Sequence, residues 1–530
     1  MAGAVRPRVP GPPRQCAQAA GRPRAPTGSR WVARVAAPLL GAPLALAFPR
    51  PALWWLAWVA LVPLTWLAAL APDWREGALR GALGGAGFFL AVDSFLLPNV
   101  TVFAPLLALA LGLTWSLWGA LARLLHPPLR GSRLALALVL EPTAWVAGEY
   151  VRSWQHLGGP WGLLGASQWN SPTLWPAAVG GVWLVSFLIV LVTTAAAAVL
   201  APGASRALRG NALLVVVLVG LGSFAYGAAR PAAPASGTLR VAVVQPGVVH
   251  AVEPRLRASE TATRRLAGTH PDLVVWGESS LGRDPGANPG DVARLAALAR
   301  ATGAPVLANV DAKRGPGGIY KTSFLVGPHG PAGSYDKLRL VPFGEYIPLR
   351  GVLGWVDRVT KAAGEDRRRG HGLVLLPVGR VRIGPLICFE SAFPDLSRHL
   401  AARGADAIVV QSATTTFQGS WGPDQHASLA AVRAVESGRP VVQAAISGVS
   451  AVFDANGRRL AWYPQDWRGA AVVTVPLAGG TTPYVRFGDW LPLGSLALLL
   501  LTGALAAAGQ ETRRWRRVTP QPPGRVAARR

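Results

Sequence analysis

Long apolar runs separated by short polar links dominate the first 229 residues. Seven such runs lie at 35–49, 52–71, 79–97, 102–125, 133–151, 176–200 and 212–229. All but the first, which is short, approach the ~20 residues that a helix needs to cross a bilayer core. An eighth run, 490–509, comes after a long region of different texture. Between about 230 and 489, short β-rich runs (Leu239–Val244, Leu273–Trp276, Val381–Cys388, Ala407–Val410) alternate with helical segments such as Asp291–Thr302 and Pro394–Arg403. Strands alternating with helices predict an α/β domain. The pattern therefore predicts a polytopic α-helical membrane domain of about eight transmembrane helices carrying an α/β domain. Its parts are a basic tail at 1–34, a membrane domain with seven helices at 35–229, the α/β domain at 238–480, a final span at 490–509 and a second basic tail at 510–530.

Composition supports lipid as the solvent of the apolar runs. Hydrophobic residues make up 51% of the chain, charged residues only 15%, and there are 21 tryptophans. A net charge of +27 in a soluble protein would suggest nucleic acid. Here the arginines collect in the tails and links instead, which is how a membrane protein fixes its orientation, so no nucleic-acid partner is expected. Arg6, Arg8, Arg14, Arg22, Arg24, Arg30 and Arg34 precede the first run, in a stretch rich in Pro and Gly that is expected to be disordered and uncleaved. Arg513, Arg514, Arg516, Arg517, Arg525, Arg529 and Arg530 follow the last run. Both termini are thus expected in the cytoplasm, in agreement with an even number of crossings. Arg75, Arg80, Arg123, Arg130, Arg133, Arg206 and Arg209 fall in the links placed on the same side. The odd number of crossings before residue 230 puts the α/β domain outside.

The two cysteines, Cys16 and Cys388, then lie on opposite sides of the membrane. They predict no disulfide and no metal site, and no cofactor is implied. Cys388 ends a β-like run and precedes a helical segment, a place where a nucleophile is exposed beside backbone N–H groups; the competing reading is a buried structural thiol. Glu278, directly after the apolar strand 273–276, suits a general base held at a sheet edge, or else is a solvated loop residue. Lys337 is one of only four lysines against 49 arginines and lies in a segment dense in charge, aromatic residues, Gly and Pro. It reads either as a required ammonium or as a surface charge.

Taken together, Glu278, Lys337 and Cys388 occur in the order of the nitrilase superfamily. The segments Tyr335-Asp336-Lys337-Leu338-Arg339-Leu340-Val341-Pro342-Phe343-Gly344-Glu345-Tyr346-Ile347-Pro348 and Ile387-Cys388-Phe389-Glu390 resemble its membrane-bound branch, the apolipoprotein N-acyltransferases. Further similar features are Gly422-Pro423-Asp424-Gln425-His426, Arg433, Glu436, Gly438-Arg439-Pro440, and the loop Gly159-Pro160-Trp161-Gly162 with Ser167-Gln168. The resemblance implies an α-β-β-α nitrilase-like sandwich outside a bacterial inner membrane, with Glu278, Lys337 and Cys388 catalytic and Glu345 and Glu390 in support. It implies a phospholipid acyl donor, a diacylglyceryl-apolipoprotein acceptor, a Cys thioester and a monomer in membrane lipid. It also places Trp154, Trp161, Trp169 and Trp175 at the lipid interface, either as part of substrate entry or as an ordinary aromatic belt.

Several positions depart from the pattern. Gly277 stands for proline, Arg339 for histidine, Phe389 for tyrosine, and Ala413-Thr414-Thr415-Thr416-Phe417 for Asn-Asp-Ala-Trp-Phe. Two other readings remain open from sequence: a membrane-tethered hydrolase, which the same triad would support with water as acceptor, and a non-catalytic scaffold. A transporter fits less well, because the apolar runs hold few ionisable residues that could mark a pathway, Asp93 and Glu141 among them.

Overall fold

The computed structural model describes residues 27–126, 131–154, 157, 159–201, 203–229, 235–314, 318–355 and 365–518. Cys16 lies outside the described residues. Among them, helices Ala104–Leu125, Gly131–Arg152, Ala177–Val199, Arg206–Ala229 and Trp490–Gly509 are long and apolar enough to cross a membrane. Trp74–Val92 and Ser94–Val100 form a further pair bent by 60°. The first two apolar runs are carried by shorter pieces: Thr27–Gly41 with a 3-10 turn Ala42–Ala47, and a 3-10 turn Trp54–Trp58 with Leu61–Ala69.

Two boundaries differ from the sequence reading. The first helix begins at Thr27, inside the stretch expected to be disordered, and the last runs on to Val518 through part of the basic tail. At the start the physical reason is charge pairing: Arg34 forks onto Glu76 of helix Trp74–Val92, with Nη2 2.7 Å from Oε2, and Arg80, one turn along that same helix, shares the carboxylate at 3.2 Å. A count of arginines registers their density and misses the buried partner.

Glycines let these helices approach closely. A Cβ on Gly87 would lie 2.1 Å from Pro38 O, and one on Gly81 2.6 Å from Trp115 O, the small-residue packing that associates helices in lipid. In contrast, Leu213, Leu214, Leu218, Leu221, Leu500, Leu501 and Leu505 are exposed on helices 206–229 and 490–518. Apolar faces of that kind need a solvent other than water.

The α/β region contains strands β1 (Ala235–Gln245), β2 (Leu273–Trp276), β3 (Val306–Lys313), β4 (Ile319–Gly327), β5 (Gly330–Asp336), β6 (Arg367–Arg368), β7 (Leu376–Val378), β8 (Val381–Ile387), β9 (Ala407–Ser412), β10 (Val441–Ala445), β11 (Ser450–Phe453), β12 (Arg459–Tyr463) and β13 (Gly469–Ala478). They form one seven-stranded sheet, ordered β13-β1-β2-β3-β4-β5 with β6 beside β4, and one six-stranded sheet, ordered β12-β11-β10-β9-β8-β7. Strands β1, β2 and β3 are parallel, as are β8, β9 and β10.

The period-two alternation of the strands decides the layers. Val241, Val243, Val275, Val409 and Val442 meet between the sheets. The alternate residues Ala242, Val244, Val274 and Trp276 pack under helices Val252–Arg264 and Pro289–Thr302. Helices Pro394–Ala402 and Gly422–Ser437 cover the second sheet, giving an α-β-β-α sandwich. Helix Gly422–Ser437 is buried at every position, because its far side meets the membrane helices in a single apolar core that extends from Phe88 and Trp183 to Leu386 and Val432. At this junction helix Ala177–Val199 is broken at Gly180 and Gly181, and Glu436 Oε1 accepts the Val182 N–H at 2.6 Å.

Candidate active site

Cys388 stands where β8 turns into the short 3-10 helix Cys388–Ala392, with a positive φ of 51° that a non-glycine residue rarely adopts. Such strain persists only where the surroundings hold it. Here Ile387 N–H donates to Glu390 Oε2 (2.8 Å), and the Cys388 carbonyl accepts from Ser391 Oγ (3.1 Å) and lies 2.9 Å from His426 Nε2. The other oxygen of Glu390 accepts Tyr335 O–H (2.8 Å), Leu338 N–H (2.7 Å) and Arg339 N–H (3.0 Å). One buried carboxylate thereby ties the turn of Cys388 to the segment just after Lys337.

Glu278 follows β2. A Cβ on Gly277 would fall 2.0 Å from Ile446 N, so the backbone passes too close to its neighbour there for any side chain. The Glu278 N–H donates to Ser412 O at 3.1 Å, fixing the residue beside the second sheet. Its Oε1 lies 3.3 Å from Lys337 Nζ and equally far from Lys321 Nζ, and its negative charge bears on the buried Cys388 thiol. Lys337 Nζ also reaches Glu345 Oε1 at 2.8 Å, and Glu345 Oε2 accepts the Val341 N–H at 2.9 Å. Lys321 is held in turn by Asp311 Oδ1 (3.1 Å) and Ser279 Oγ (3.0 Å).

The charges settle as a thiol, a carboxylate and two ammoniums. Burial alone would raise the Glu278 carboxyl, but Lys321, Lys337 and the thiol together hold it below the usual carboxylate range. Burial likewise works against the Lys337 ammonium and is overcome by Glu278 and Glu345. Burial, with the anionic Glu278 beside it, pushes the Cys388 thiol up to about 12. Burial also pushes the Glu390 carboxyl up, against the pull of Lys337 and its own N–H donors. A protonated thiol under the influence of an ionised carboxylate suits proton removal during attack, not a standing thiolate.

All five residues named from sequence come together: Glu278, Lys337 and Cys388 in mutual reach, Glu345 behind Lys337, and Glu390 behind Cys388. Sequence reasoning missed Lys321, the second ammonium on Glu278. It also gave no role to His426, buried between Cys388 O, Ser391 Oγ and Ser412 Oγ, although it quoted the motif that ends on this residue. The tryptophans divide. Trp154 is exposed, but Trp161 stacks on His426 (ring centroids 6.0 Å, planes 6° apart), donates to Gln425 Oε1 at 2.9 Å, and is itself held by Arg152. Trp169 stacks on Trp462. Trp161 and Trp169 therefore pack on the α/β domain rather than forming a belt. Glu141 pairs with His126 at 2.9 Å, a packing role within the bundle.

Two cavities adjoin the site. One, of about 370 Å³, lies at the junction with the membrane helices, between Tyr150, Trp154, Arg339, Phe393, Asp395 and Asp489. Phe393 in turn packs edge-on against Phe389, the neighbour of Cys388. The other, of about 200 Å³, has Glu278, Ser279, Ala413 and Thr415 in its wall. The altered segment 413–417 thus borders the site: Cys388 Sγ is 4.0 Å from Ala413 O, and Phe417 packs edge-on against Phe95 of the membrane helices. Among the described residues, no group of three or more His, Cys, Asp or Glu is arranged to hold a metal.

Comparison with known proteins supplies two family matches. Residues 240–482 match the carbon-nitrogen hydrolase family, and residues 40–195 match the apolipoprotein N-acyltransferase N-terminal domain. The chain is 34% identical to an apolipoprotein N-acyltransferase of Azotobacter vinelandii, covering 93% of this chain and 97% of that protein. It is 31% identical to one of Geobacter metallireducens, over 88% and 94% respectively. Among solved structures, an amidase from Nesterenkonia sp. is 23% identical, with a TM-score of 0.34, covering 45% of this chain and 90% of that one.

Proposed function

Because this chain belongs to the apolipoprotein N-acyltransferase family, we propose that Cys388 carries an acyl group from a membrane phospholipid to the α-amino group of a diacylglyceryl-cysteine, with Glu278 as its base. The observation that carries this reading is the buried Glu278 carboxylate, 3.3 Å from each of two lysine ammoniums, with its charge bearing on the Cys388 thiol.

In the first half-reaction the thiol proton passes to Glu278 as sulfur attacks the ester carbonyl. The C–S bond forms, and the C–O bond breaks as the proton returns to the lysophospholipid oxygen. In the second, the acceptor amine attacks the thioester and gives up a proton to Glu278. A C–N bond forms and the thiol is regenerated. Lys337 stabilises the tetrahedral oxyanion in both steps, a contribution of ~3 kcal/mol for a single donor. Splitting the exchange through a thioester suits an amine acceptor. Glu345 orients Lys337, and Glu390 holds the turn of Cys388.

The reading extends to place and topology. The enzyme works as a monomer in the bacterial inner membrane, crosses it eight times, keeps both termini in the cytoplasm and presents the α/β domain outside. The five long apolar helices, the bent pair and the segments 27–47 and 54–69 supply the eight crossings. In support, the junction cavity joins membrane helices to the α/β domain, where lipid substrates can arrive without leaving the bilayer. Orientation is testable with single cysteines in a background lacking Cys16 and Cys388. In spheroplasts an impermeant maleimide should label Arg458→Cys and leave Ser205→Cys unlabelled; the reverse would invert the topology.

The activity is tested by incubating purified protein with phospholipid and a diacylglyceryl-cysteine peptide. N-acyl peptide is the expected product. Free fatty acid alone would mean hydrolysis and would defeat the transfer reading.

A further inference from the structure

The smaller cavity differs from the larger in what builds it. Its walls come wholly from the α/β domain, whereas the larger one includes Tyr150, Trp154 and Trp183 of the membrane domain. Two of its lining residues bear on the sulfur: Ala413, whose carbonyl is 4.0 Å from Sγ, and Glu278, whose charge acts on the thiol. A group inside this cavity can therefore reach a thioester on Cys388. Much of the lining is hydrogen-bonding, with Ser279, Thr415 and Arg255. The Nε of Arg255 is buried and has no hydrogen-bond partner among the described residues, a donor that a carbonyl or carboxylate would satisfy.

An acceptor with two acyl chains and a polypeptide has opposite demands at its two ends. Its lipid must stay on the side of the membrane helices, and its polypeptide must leave in another direction, with the reactive amine between them. We propose that the cavity beside Glu278 receives the first residues of the acceptor polypeptide after the lipid-modified cysteine and favours small, hydrogen-bonding residues there. This deepens the transfer reading and rests on it. The amine nitrogen attacks the thioester carbonyl, the C–S bond breaks, and the amine proton passes through Glu278 to the departing sulfur while the peptide carbonyls lie along Ser279, Thr415 and Arg255.

The test separates the two half-reactions. Full-length protein is loaded with labelled phospholipid, freed of donor, and chased with diacylglyceryl-Cys peptides bearing Ser or Trp at the second position, and in parallel with hydroxylamine. The Ser peptide should clear wild-type acyl-enzyme at least about tenfold faster than the Trp peptide. In Val249→Trp and Arg255→Ala, clearance by the Ser peptide should fall about tenfold relative to clearance by hydroxylamine. Equal rates for the two peptides, or parallel loss of both chases in both variants, would overturn the proposal; the wild-type peptide series decides if the variants fold poorly. Absence of any acyl-enzyme in wild type would instead overturn the transfer reading.

Discussion

Lys321 shows what Glu278 requires if it is to serve as the base proposed for it. Two ammoniums on one Glu278 oxygen keep it ionised despite burial, and removing one should raise its pKa, so protonation reaches further towards neutral pH. In Lys321→Met the acid limb of acyl-enzyme formation should move up by about 1 to 3 pH units, with Lys321→Arg restoring most of it. A profile that matches wild type would remove Lys321 from the site's electrostatics. Glu278, Lys337 and Cys388 were legible in the sequence because each closes a strand inside its own local motif. Lys321 was not, because its role comes from register: β3 and β4 pair antiparallel with Asp311 opposite Lys321, and no local pattern announces a cross-strand partner. His426 was visible only as part of a motif, since its contacts with Cys388 O and Ser412 Oγ join residues far apart in the chain.

Among the elements, the turn at Cys388 and the Lys337 segment depend on one side chain. Glu390 accepts four hydrogen bonds from the two of them, and its removal leaves those buried donors unmade. Glu390→Ala should therefore lower thermal stability in detergent, by ~1–3 kcal/mol for each donor left without a partner, and should slow acyl-enzyme formation because the positive φ of Cys388 loses its brace. A variant with wild-type melting and wild-type acylation would show that the turn holds itself. Strands alternating with helices made the α/β domain readable from the outset, whereas the two-sheet sandwich was implied only by the resemblance of the local motifs. Helix Gly422–Ser437 was harder to place, because burial on all sides erases the amphipathic stripe that marks a surface helix. The first helix was obscured for the opposite reason: Arg30 and Arg34 look like a solvated tail until Glu76 is seen beside Arg34.

On the scale of the whole molecule, the apolar helical region packs directly against the candidate site. The loop after helix Gly131–Arg152 stacks Trp161 on His426, and a Cβ on Gly159 would meet Phe389 at 2.7 Å. Cys388 is thus packed from the side of the apolar helices, the side from which lipid would arrive on the proposed reading. Apolar run lengths announced the long apolar helices, whereas this contact joins residues some 260 positions apart (Trp161 to Gln425 is a separation of 264) and had no signature in the order of the chain. The account centres on Cys388 as the acyl carrier. Its most direct test is mass spectrometry of protein quenched in acid after exposure to phospholipid and before any acceptor is added. The account predicts one acyl group on the peptide that contains Cys388, released by hydroxylamine, absent from Cys388→Ala and lost when a diacylglyceryl-cysteine peptide is added. An acyl group on any other residue, or unchanged labelling of Cys388→Ala, would contradict it.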